Sequence, residues 1–439
     1  MATFTFLHAA DLHLDTPFEG LGRVDPDLAE ELRDASLRAF ERLVDLALER
    51  RVAFVVFAGD IYDGAERGLR AQLRFRRGLA RLSDAEIPSF IVHGNHDPLG
   101  EGWSAISEWP HRVHVFSSGE VEAVPVEIDG ARIATVHGTS FGRRAETENL
   151  ARRFRRGAEG GIHVGVLHCN VEGQAEHDPY APCSLEDLRS AGLDYWALGH
   201  VHTRQTLLQG QSWAAYPGNL QGRSFKPAEQ GAKGALLIQV EDDAVRQIEF
   251  CSLAPVIFAS IPVDISGLED LAQLADAMIE RAARVAAEAG GIDGLLVRAE
   301  LRGRGPLHGE LGQRLEELRL SLDDATGGGS PWIRWDRLER STHRAIDRER
   351  LGAREDLVGE VLRSLDGLRA DPKARRAIYE EVDQAIRKGT LQRFIEPLGD
   401  EALLDLLDGV EQEALDRLEV EADPGDDEQD ATGLLEVGS

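Results

Sequence analysis

The feature that most constrains this chain is a repeated one: a short, continuous apolar run that ends in a polar cluster, with helical or loop sequence behind it. Phe4–Ala9, Val52–Ala58, Ser89–Val92, Ile133–Val136, His163–Leu167 and Tyr195–Leu198 are such runs. Strands that are apolar along their whole length are buried on both faces, so residues 1–250 predict an α/β fold of buried sheets flanked by helices. Leu28, Leu32, Ala35, Phe40, Leu43, Val44 and Ala47 recur at helical spacing and mark one covering helix. Sheets of this kind place their sites at the carboxyl ends of the strands, which is where the polar clusters fall.

Beyond residue 250 the pattern changes. Cys251–Asp264 reads as a strand-rich connector punctuated by Pro255 and Pro262. Leu268–Ala289 predicts a helix, Leu295–Leu301 a strand, Glu310–Leu320 a helix, Asp323–Pro331 a loop and Trp332–Trp335 a strand, with helical segments from Arg354 to about Leu418. At 439 residues the chain exceeds one ordinary core. The shifts in pattern divide it into an α/β domain at 1–252, a smaller α+β module at 253–345, a helical region at 346–420 and an acidic tail at 421–439.

The formal charge is −29, and the excess of acid lies mainly in the second part: residues 1–250 carry 26 basic and 37 acidic side chains, residues 251–439 carry 23 and 41. The stretch from Glu411 through Asp423, Asp426, Asp427, Glu428 and Asp430 reads as a disordered acidic tail. So acidic a chain has no general basic field with which to hold a polyanion. Phosphate affinity would have to come from bound metal, local arginine clusters or a partner subunit. Cys169, Cys183 and Cys251 form no CxxC pair and no disulfide framework, and each reads as a small buried hydrophobe. No apolar run is long enough to span a bilayer, and Met1-Ala2-Thr3-Phe4 lacks the basic start of a signal peptide, so the cytoplasm is the expected compartment.

Five clusters follow the predicted strands in order: Asp11-Leu12-His13, Gly59-Asp60-Ile61-Tyr62-Asp63, Gly94-Asn95-His96-Asp97, His168, and Gly199-His200-Val201-His202. Any one histidine among them is more often a hydrogen-bonded core or surface residue; the whole set in this order is not. Mixed imidazole, carboxylate and amide donors suit Mn²⁺, Fe or Zn²⁺ better than Ca²⁺. Two such ions would leave net positive charge beside Asp11 and Asp60, attract phosphate, and generate hydroxide from water at neutral pH.

The order and spacing of the clusters resemble the calcineurin-like metallophosphoesterase superfamily over residues 4–250, which implies a two-sheet α/β/β/α sandwich. By that resemblance Asp11, His13 and His202 hold one metal, Asn95, His168 and His200 the other, and Asp60 bridges both. His96 then faces the substrate phosphate, and Asp63 orients its imidazole and raises its pKa. The opening Phe6-Leu7-His8-Ala9-Ala10-Asp11-Leu12-His13-Leu14-Asp15-Thr16-Pro17-Phe18 is similar to SbcD-type DNA-repair nucleases, especially their YhaO-like branch. So are His177-Asp178-Pro179-Tyr180-Ala181-Pro182-Cys183, Tyr216-Pro217-Gly218-Asn219-Leu220-Gln221-Gly222-Arg223 and Leu301-Arg302-Gly303-Arg304-Gly305-Pro306-Leu307-His308. The resemblance implies a nuclease subunit that hydrolyses DNA by metal-activated hydroxide, with Mn²⁺ foremost and Fe, Zn²⁺ or Mg²⁺ admitted. It further implies an SbcC-like coiled-coil ATPase partner, a homodimer, and no membrane association.

Arg67, Arg70, Arg74, Arg76, Arg77 and Arg81 form one arginine cluster, and Arg143, Arg144, Arg152, Arg153, Arg155 and Arg156 another. Each could contact phosphates, or could be a solvated face balanced by neighbouring acids. Arg223 and Lys226 lie nearer the clusters in sequence; His177 and Tyr180 are candidates for the cleft wall, with Tyr180 able to stack on a base. His8, His93, His137 and His163 fall in or beside strands and read as core. The alternative functions are a phosphoesterase for nucleotides or phosphoproteins, with the same core and a different cleft, and a non-catalytic scaffold for an ATPase.

Overall fold

Alternation within each apolar run decides which layer a side chain joins, because successive residues of a strand point to opposite faces. The computed structural model describes residues 3–16, 28, 32–64, 68–173, 180–386 and 399–418. Arg67, His177 and the acidic stretch expected at 421–439 lie outside the described residues. In chain order the strands are β1 (Thr3–Ala9), β2 (Val55–Ala58), β3 (Ser89–Val92), β4 (Val113–Val115), β5 (Glu122–Ile128), β6 (Ala131–Gly138), β7 (Ile162–His168), β8 (Tyr195–Gly199), β9 (Gln205–Leu208), β10 (Trp213–Tyr216), β11 (Gly234–Glu241), β12 (Ala244–Ser252), β13 (Val256–Asp264), β14 (Gly294–Gly305) and β15 (Trp332–Arg344). They form two six-stranded sheets, β12-β11-β1-β2-β3-β4 and β5-β6-β7-β8-β10-β9, and a three-stranded sheet β13-β14-β15.

The chain divides into two compact units, one of residues 1–261, 279–298 and 320–337, the other of 262–278, 299–319 and 338–439. In the first unit β1, β2, β3 and β4 run parallel, as do β6, β7, β8 and β10 of the second large sheet. The inner faces of the two sheets share one core in which Phe6, Val56, Phe90 and Val92 meet Val164, Val166, Tyr195 and Ala197. Their sequence neighbours Leu7, Ala9, Val55, Phe57 and Ile91 point the other way, under α1 (Ala35–Arg50) and α2 (Leu69–Asp84), against Phe40, Leu43, Val44, Phe75 and Leu79. On the far side Leu167, Trp196, Leu198 and Tyr216 pack with Phe154 and Leu188 beneath the short α3 (Leu185–Ser190). Two sheets face to face with helices outside is the layering expected from the sequence. His8 sits wholly buried between the sheets, bonded to the Tyr195 hydroxyl at 2.9 Å and the Leu198 carbonyl at 3.1 Å, and burial drives its pKa down to about 3.

Further along come α4 (Leu271–Ala289) and α5 (His308–Thr326). The loop expected from Asp323 begins later, because α5 continues to Thr326. Asp323 and Thr326 find partners on β15: the Trp335 amide donates to Asp323 Oδ1 at 2.8 Å, and Thr326 Oγ1 donates to the Ile333 carbonyl at 3.0 Å. No described helix is long and apolar enough to cross a membrane.

The second unit contains α6 (Arg348–Gly352), α7 (Leu357–Ala370), α8 (Pro372–Ile386) and α9 (Asp400–Arg417), with Leu351, Val358, Leu362 and Leu415 as a small core. Glu411, expected at the start of an acidic tail, is instead a buried residue of α9. Its carboxylate accepts from Arg348 at 2.7 and 2.9 Å and from Arg369 at 2.6 Å. Burial pushes its pKa up, but the two guanidiniums outweigh that and leave it below the ordinary glutamate value. A lowered folded-state pKa stabilises the fold above the unfolded value, and the contribution is lost as pH falls through the folded one. Glu411→Gln is therefore expected to destabilise the protein by about 1–3 kcal/mol at pH 7. In urea unfolding the gap from wild type should shrink as the pH approaches 3, and a gap that grows would contradict the assignment.

Candidate functional site

Parallel strands that begin at one rim of a sheet end together at the other, so the polar residues that follow them are delivered to one place. Asp11, Asp60 and Asn95 follow β1, β2 and β3; His168 ends β7 and His200 follows β8. The turns that carry them are tightly wound: Asp11, His13, Asp60 and His200 have φ of 51°, 42°, 52° and 107°. Backbone bonds tie the turns together, from the Asp11 amide to the Gly59 carbonyl and from the His13 amide to the Asp60 carbonyl, both at 3.1 Å. Of the predicted set, Asp11, His13, Asp60, Asn95, His168 and His200 are buried and His202 is half-buried.

Among the described residues three groups of carboxylate and imidazole atoms lie within 4.8 Å of one another: Asp11, His13 and His202; Asp11, Asp60 and His168; and His13, Asp63 and His96. His200 enters none of them. Its amide donates to both oxygens of Asp11 at 3.1 Å, and its ring lies edge-on to His168 with centroids 5.2 Å apart. Asn95 brings Oδ1 to 2.9 Å from His168 Nε2.

The protonation pattern decides what this arrangement can hold. His168 Nδ1 donates to the Ala58 carbonyl at 3.0 Å, so its Nε2 is the bare nitrogen, and burial holds its pKa at about 4. That bare Nε2 faces two acceptors, Asn95 Oδ1 and, at 3.4 Å, Asp60 Oδ2. His202 Nδ1 bonds Glu229 Oε1 at 2.6 Å, which turns a bare His202 Nε2 toward His13 Nε2, 3.3 Å away. Burial lowers the pKa of both His13 and His202 and raises that of Asp11 and Asp60, the two buried carboxylates also repelling each other. Neutral imidazoles thus converge on two carboxyls whose burial disfavours their charge without a cation nearby, a donor set that fits divalent cations.

Room for these groups depends on Gly94. A Cβ there would lie 2.3 Å from Asp60 Oδ1 and 2.8 Å from the His168 ring, and both belong to the rigid floor of the site. Gly94→Ala is expected to weaken Mn²⁺ binding by roughly tenfold or more while the protein still folds, because it misaims two buried donors. Calorimetric titration checks this, and unchanged affinity would contradict it.

Beside the convergent groups lies a second chain of contacts. His96 Nδ1 bonds Asp63 Oδ1 at 2.6 Å, and Arg223 Nη1 donates to Asp63 Oδ2 at 2.9 Å. The His96 bond and the Arg223 charge hold Asp63 down at about 2. Burial pulls His96 down, but the Asp63 bond and the Asp60 charge more than offset it and raise its pKa above the ordinary value. Among the described residues Arg223 Nε finds no hydrogen-bond partner, although it is buried. Tyr180 stands edge-on to His200, ring centroids 5.8 Å apart. Lys226 is exposed.

The two arginine clusters follow the duller of their readings. Arg70 pairs with Asp34 and Asp15, Arg74 with Glu41, and Arg81 with Asp45, all acids on or beside α1. Arg76 donates to the Glu108 carbonyl at 3.1 Å. Arg152, Arg153 and Arg156 pair with Asp187, Glu148 and Asp194; Arg143 lies 3.8 Å from Glu146; Arg155 binds backbone carbonyls. Arg77 and Arg144 are exposed. His93, His137 and His163 are buried, the first bonded to Asp97 at 3.0 Å and the other two to each other at 2.9 Å.

Sequence reasoning missed Glu229. It is buried, and the His202 bond and Arg223 charge overcome desolvation to hold its pKa at about 2. Its nearness to Lys226 was the only hint, since nothing in Pro227-Ala228-Glu229 marks a functional carboxylate.

Residues 4–204 match the family model described as calcineurin-like phosphoesterase, and residues 258–343 match that of the metallophosphoesterase YhaO middle domain. The chain is 38% identical over 274 residues to the uncharacterized metallophosphoesterase YhaO of Bacillus subtilis (strain 168), covering 62% of this chain and 66% of that protein. It is 30% identical to the DNA double-strand break repair protein Mre11 of Aeropyrum pernix, over 49% of this chain and 53% of that one. It is 25% identical to the SbcD component of the SbcCD nuclease of Bacillus subtilis (strain 168), over 51% and 63%. The chain thus spans between about half and just under two thirds of these relatives.

Proposed function

Since the chain belongs to the calcineurin-like phosphoesterase family, we propose that it is a two-metal phosphodiesterase that cuts DNA as the nuclease subunit of an SbcCD-like repair complex. The observation that carries the reading is the crowding of His168 Nε2 against Asn95 Oδ1 at 2.9 Å and Asp60 Oδ2 at 3.4 Å, while its Nδ1 is engaged by the Ala58 carbonyl. Asp11, His13 and His202 would hold one ion, Asn95, His168 and His200 the other, and Asp60 both, with Mn²⁺ the proposed metal. When bound, the pair supplies a water nucleophile at neutral pH and neutralises phosphate charge.

The chain's own residues supply the rest. Asp63, ionised at about 2, fixes the His96 ring through Nδ1 and leaves Nε2 to carry the mobile proton. The Asp63 bond and the Asp60 charge raise its pKa above the ordinary value, which favours the protonated ring that would deliver a proton to the leaving oxygen. Arg223, held on Asp63 at 2.9 Å, sets a positive charge beside this pair that would attract the phosphate. Tyr180, beside His200, would stack on a base. We assign residues 1–252 to catalysis and 253–345 to an accessory domain. DNA is a proposed partner, after the DNA double-strand break repair role of the Mre11 relative; a coiled-coil ATPase is the other, after the resemblance to SbcD-type nucleases; and the cytoplasm is the proposed compartment.

A second reading, hydrolysis of small phosphoesters, is favoured by one observation: most described arginines of the two clusters are already paired with acids or carbonyls. Labelled DNA with defined ends, mononucleotides and bis-p-nitrophenyl phosphate, each with Mn²⁺, Mg²⁺ or Zn²⁺, separate the two. Cleavage of mononucleotides with intact DNA would reject the nuclease. No hydrolysis of any ester under any ion would reject both.

A further inference from the structure

The half of the site that holds His202 and the half that holds His96 share one anchor. Glu229 Oε1 accepts from His202 Nδ1 at 2.6 Å. Its other oxygen accepts from the Asn219 side-chain amide at 2.8 Å and from the Arg223 backbone amide at 2.9 Å. Arg223 in turn reaches Asp63 at 2.9 Å, and Asp63 reaches His96 at 2.6 Å. A single buried carboxylate therefore starts two lines of contact, one ending on an imidazole that faces Asp11 and His13, the other on the proposed proton donor.

The fold holds this carboxylate in place. The Glu229 amide closes a 3-10 turn onto the Lys226 carbonyl at 2.8 Å. Lys233 Nζ donates to the His202 carbonyl at 2.9 Å and also to the Ala228 carbonyl, which fastens the turn to the loop it serves. Burial lowers the Lys233 pKa to about 8. Gly222 allows the close approach, since a Cβ there would lie 2.1 Å from the Glu229 carbonyl oxygen.

We infer that Glu229 is a positioning residue that sets both the His202 imidazole for its metal and, through Arg223 and Asp63, the His96 imidazole for the leaving group. The inference rests on the two-metal reading above. A carboxylate behind a metal-binding histidine fixes its tautomer and ring direction and raises its basicity, and loss of such a partner costs about 10–100-fold in metal affinity or activity. Glu229 differs from a partner of one histidine because its second oxygen orders the backbone from which Arg223 departs.

Two variants separate the lines. Glu229→Gln keeps the shape and removes the charge. Calorimetric titration of the full chain with Mn²⁺ should show one of two sites weakened about 10–100-fold and the other little changed. Arg223→Met leaves the Glu229–His202 bond intact. It should bind Mn²⁺ at both sites as wild type does, yet turn over labelled DNA about tenfold or more slowly at saturating Mn²⁺. If Glu229→Gln does not fold, Glu229→Asp, which keeps the charge one methylene short, should show the same one-site weakening. Wild-type affinity at both sites in a folded Glu229 variant would overturn the inference, as would Arg223→Met that loses metal or keeps full turnover. A wild type that binds no Mn²⁺ would instead overturn the two-metal reading itself, and the inference with it.

Discussion

Asp60→Asn should strip the protein of at least one of two divalent ions and abolish phosphodiester hydrolysis at neutral pH. Asp60 is buried, its Oδ2 lies 3.4 Å from His168 Nε2 and 4.0 Å from His13 Nε2, and these imidazoles belong to opposite halves of the site. An amide in its place keeps the volume but offers one neutral oxygen where two anionic ones stood. Its NH₂ could also donate to the bare His168 Nε2 and so occupy a lone pair that an ion needs. Burial already pushes the Asp60 carboxyl up to about 7, so only nearby positive charge keeps it ionised in this position. Metal content after dialysis, read by plasma mass spectrometry, should fall from two ions per chain toward one or none, with the melting transition still cooperative. Two ions retained by a folded Asp60→Asn variant would remove Asp60 from its bridging role.

His96→Gln should do the reverse: normal metal content with turnover of DNA lowered on the order of 10²–10⁴-fold, the usual worth of a positioned acid. His96 lies outside the two groups centred on Asp11, and its amide, not its ring, contacts Asp60 Oδ1 at 2.9 Å, so the ring can be removed without disturbing the donors. The identity of the leaving group provides a sharper check. A p-nitrophenolate departs without a proton, whereas a sugar hydroxyl does not, so bis-p-nitrophenyl phosphate should lose much less than DNA. Equal losses on both would mean that His96 stabilises charge on the phosphate and does not protonate the leaving oxygen.

Much of the first unit was legible because burial and periodicity coincide there. Ser89–Val92 is both the apolar run and the strand, and the resemblance to the calcineurin-like superfamily, not spacing alone, pointed Asp63 to its pairing with His96. The edge strands β4, β5, β9 and β12 gave no such signal, since they are half exposed and carry His114, Glu122, Gln205 and Gln247 among their apolar residues. The pairing of Arg70, Arg74 and Arg81 with Asp34, Glu41 and Asp45 was readable in principle, because both sets recur at helical spacing. What hid it was ignorance of which helix packs beside which. Glu229 was beyond sequence reasoning for a different reason: its role depends on a non-repetitive turn meeting a loop 27 residues earlier, a meeting that no period encodes. Glu411 shows the same limit, since an acid is a solvated tail residue or a clamped one according to where two distant arginines lie.

The left-handed backbone at Asp11, His13, Asp60 and His200 carries a consequence for the geometry of the centre. Non-glycine residues held there cost of order 1–3 kcal/mol each, and only a stiff surrounding keeps them so. The bonds from the Asp11 amide to the Gly59 carbonyl and from the His13 amide to the Asp60 carbonyl supply that stiffness, so the scaffold rather than side-chain freedom sets where these donors stand. A substitution that relaxes one of these turns should therefore blur the placement of donors on both sides of Asp60.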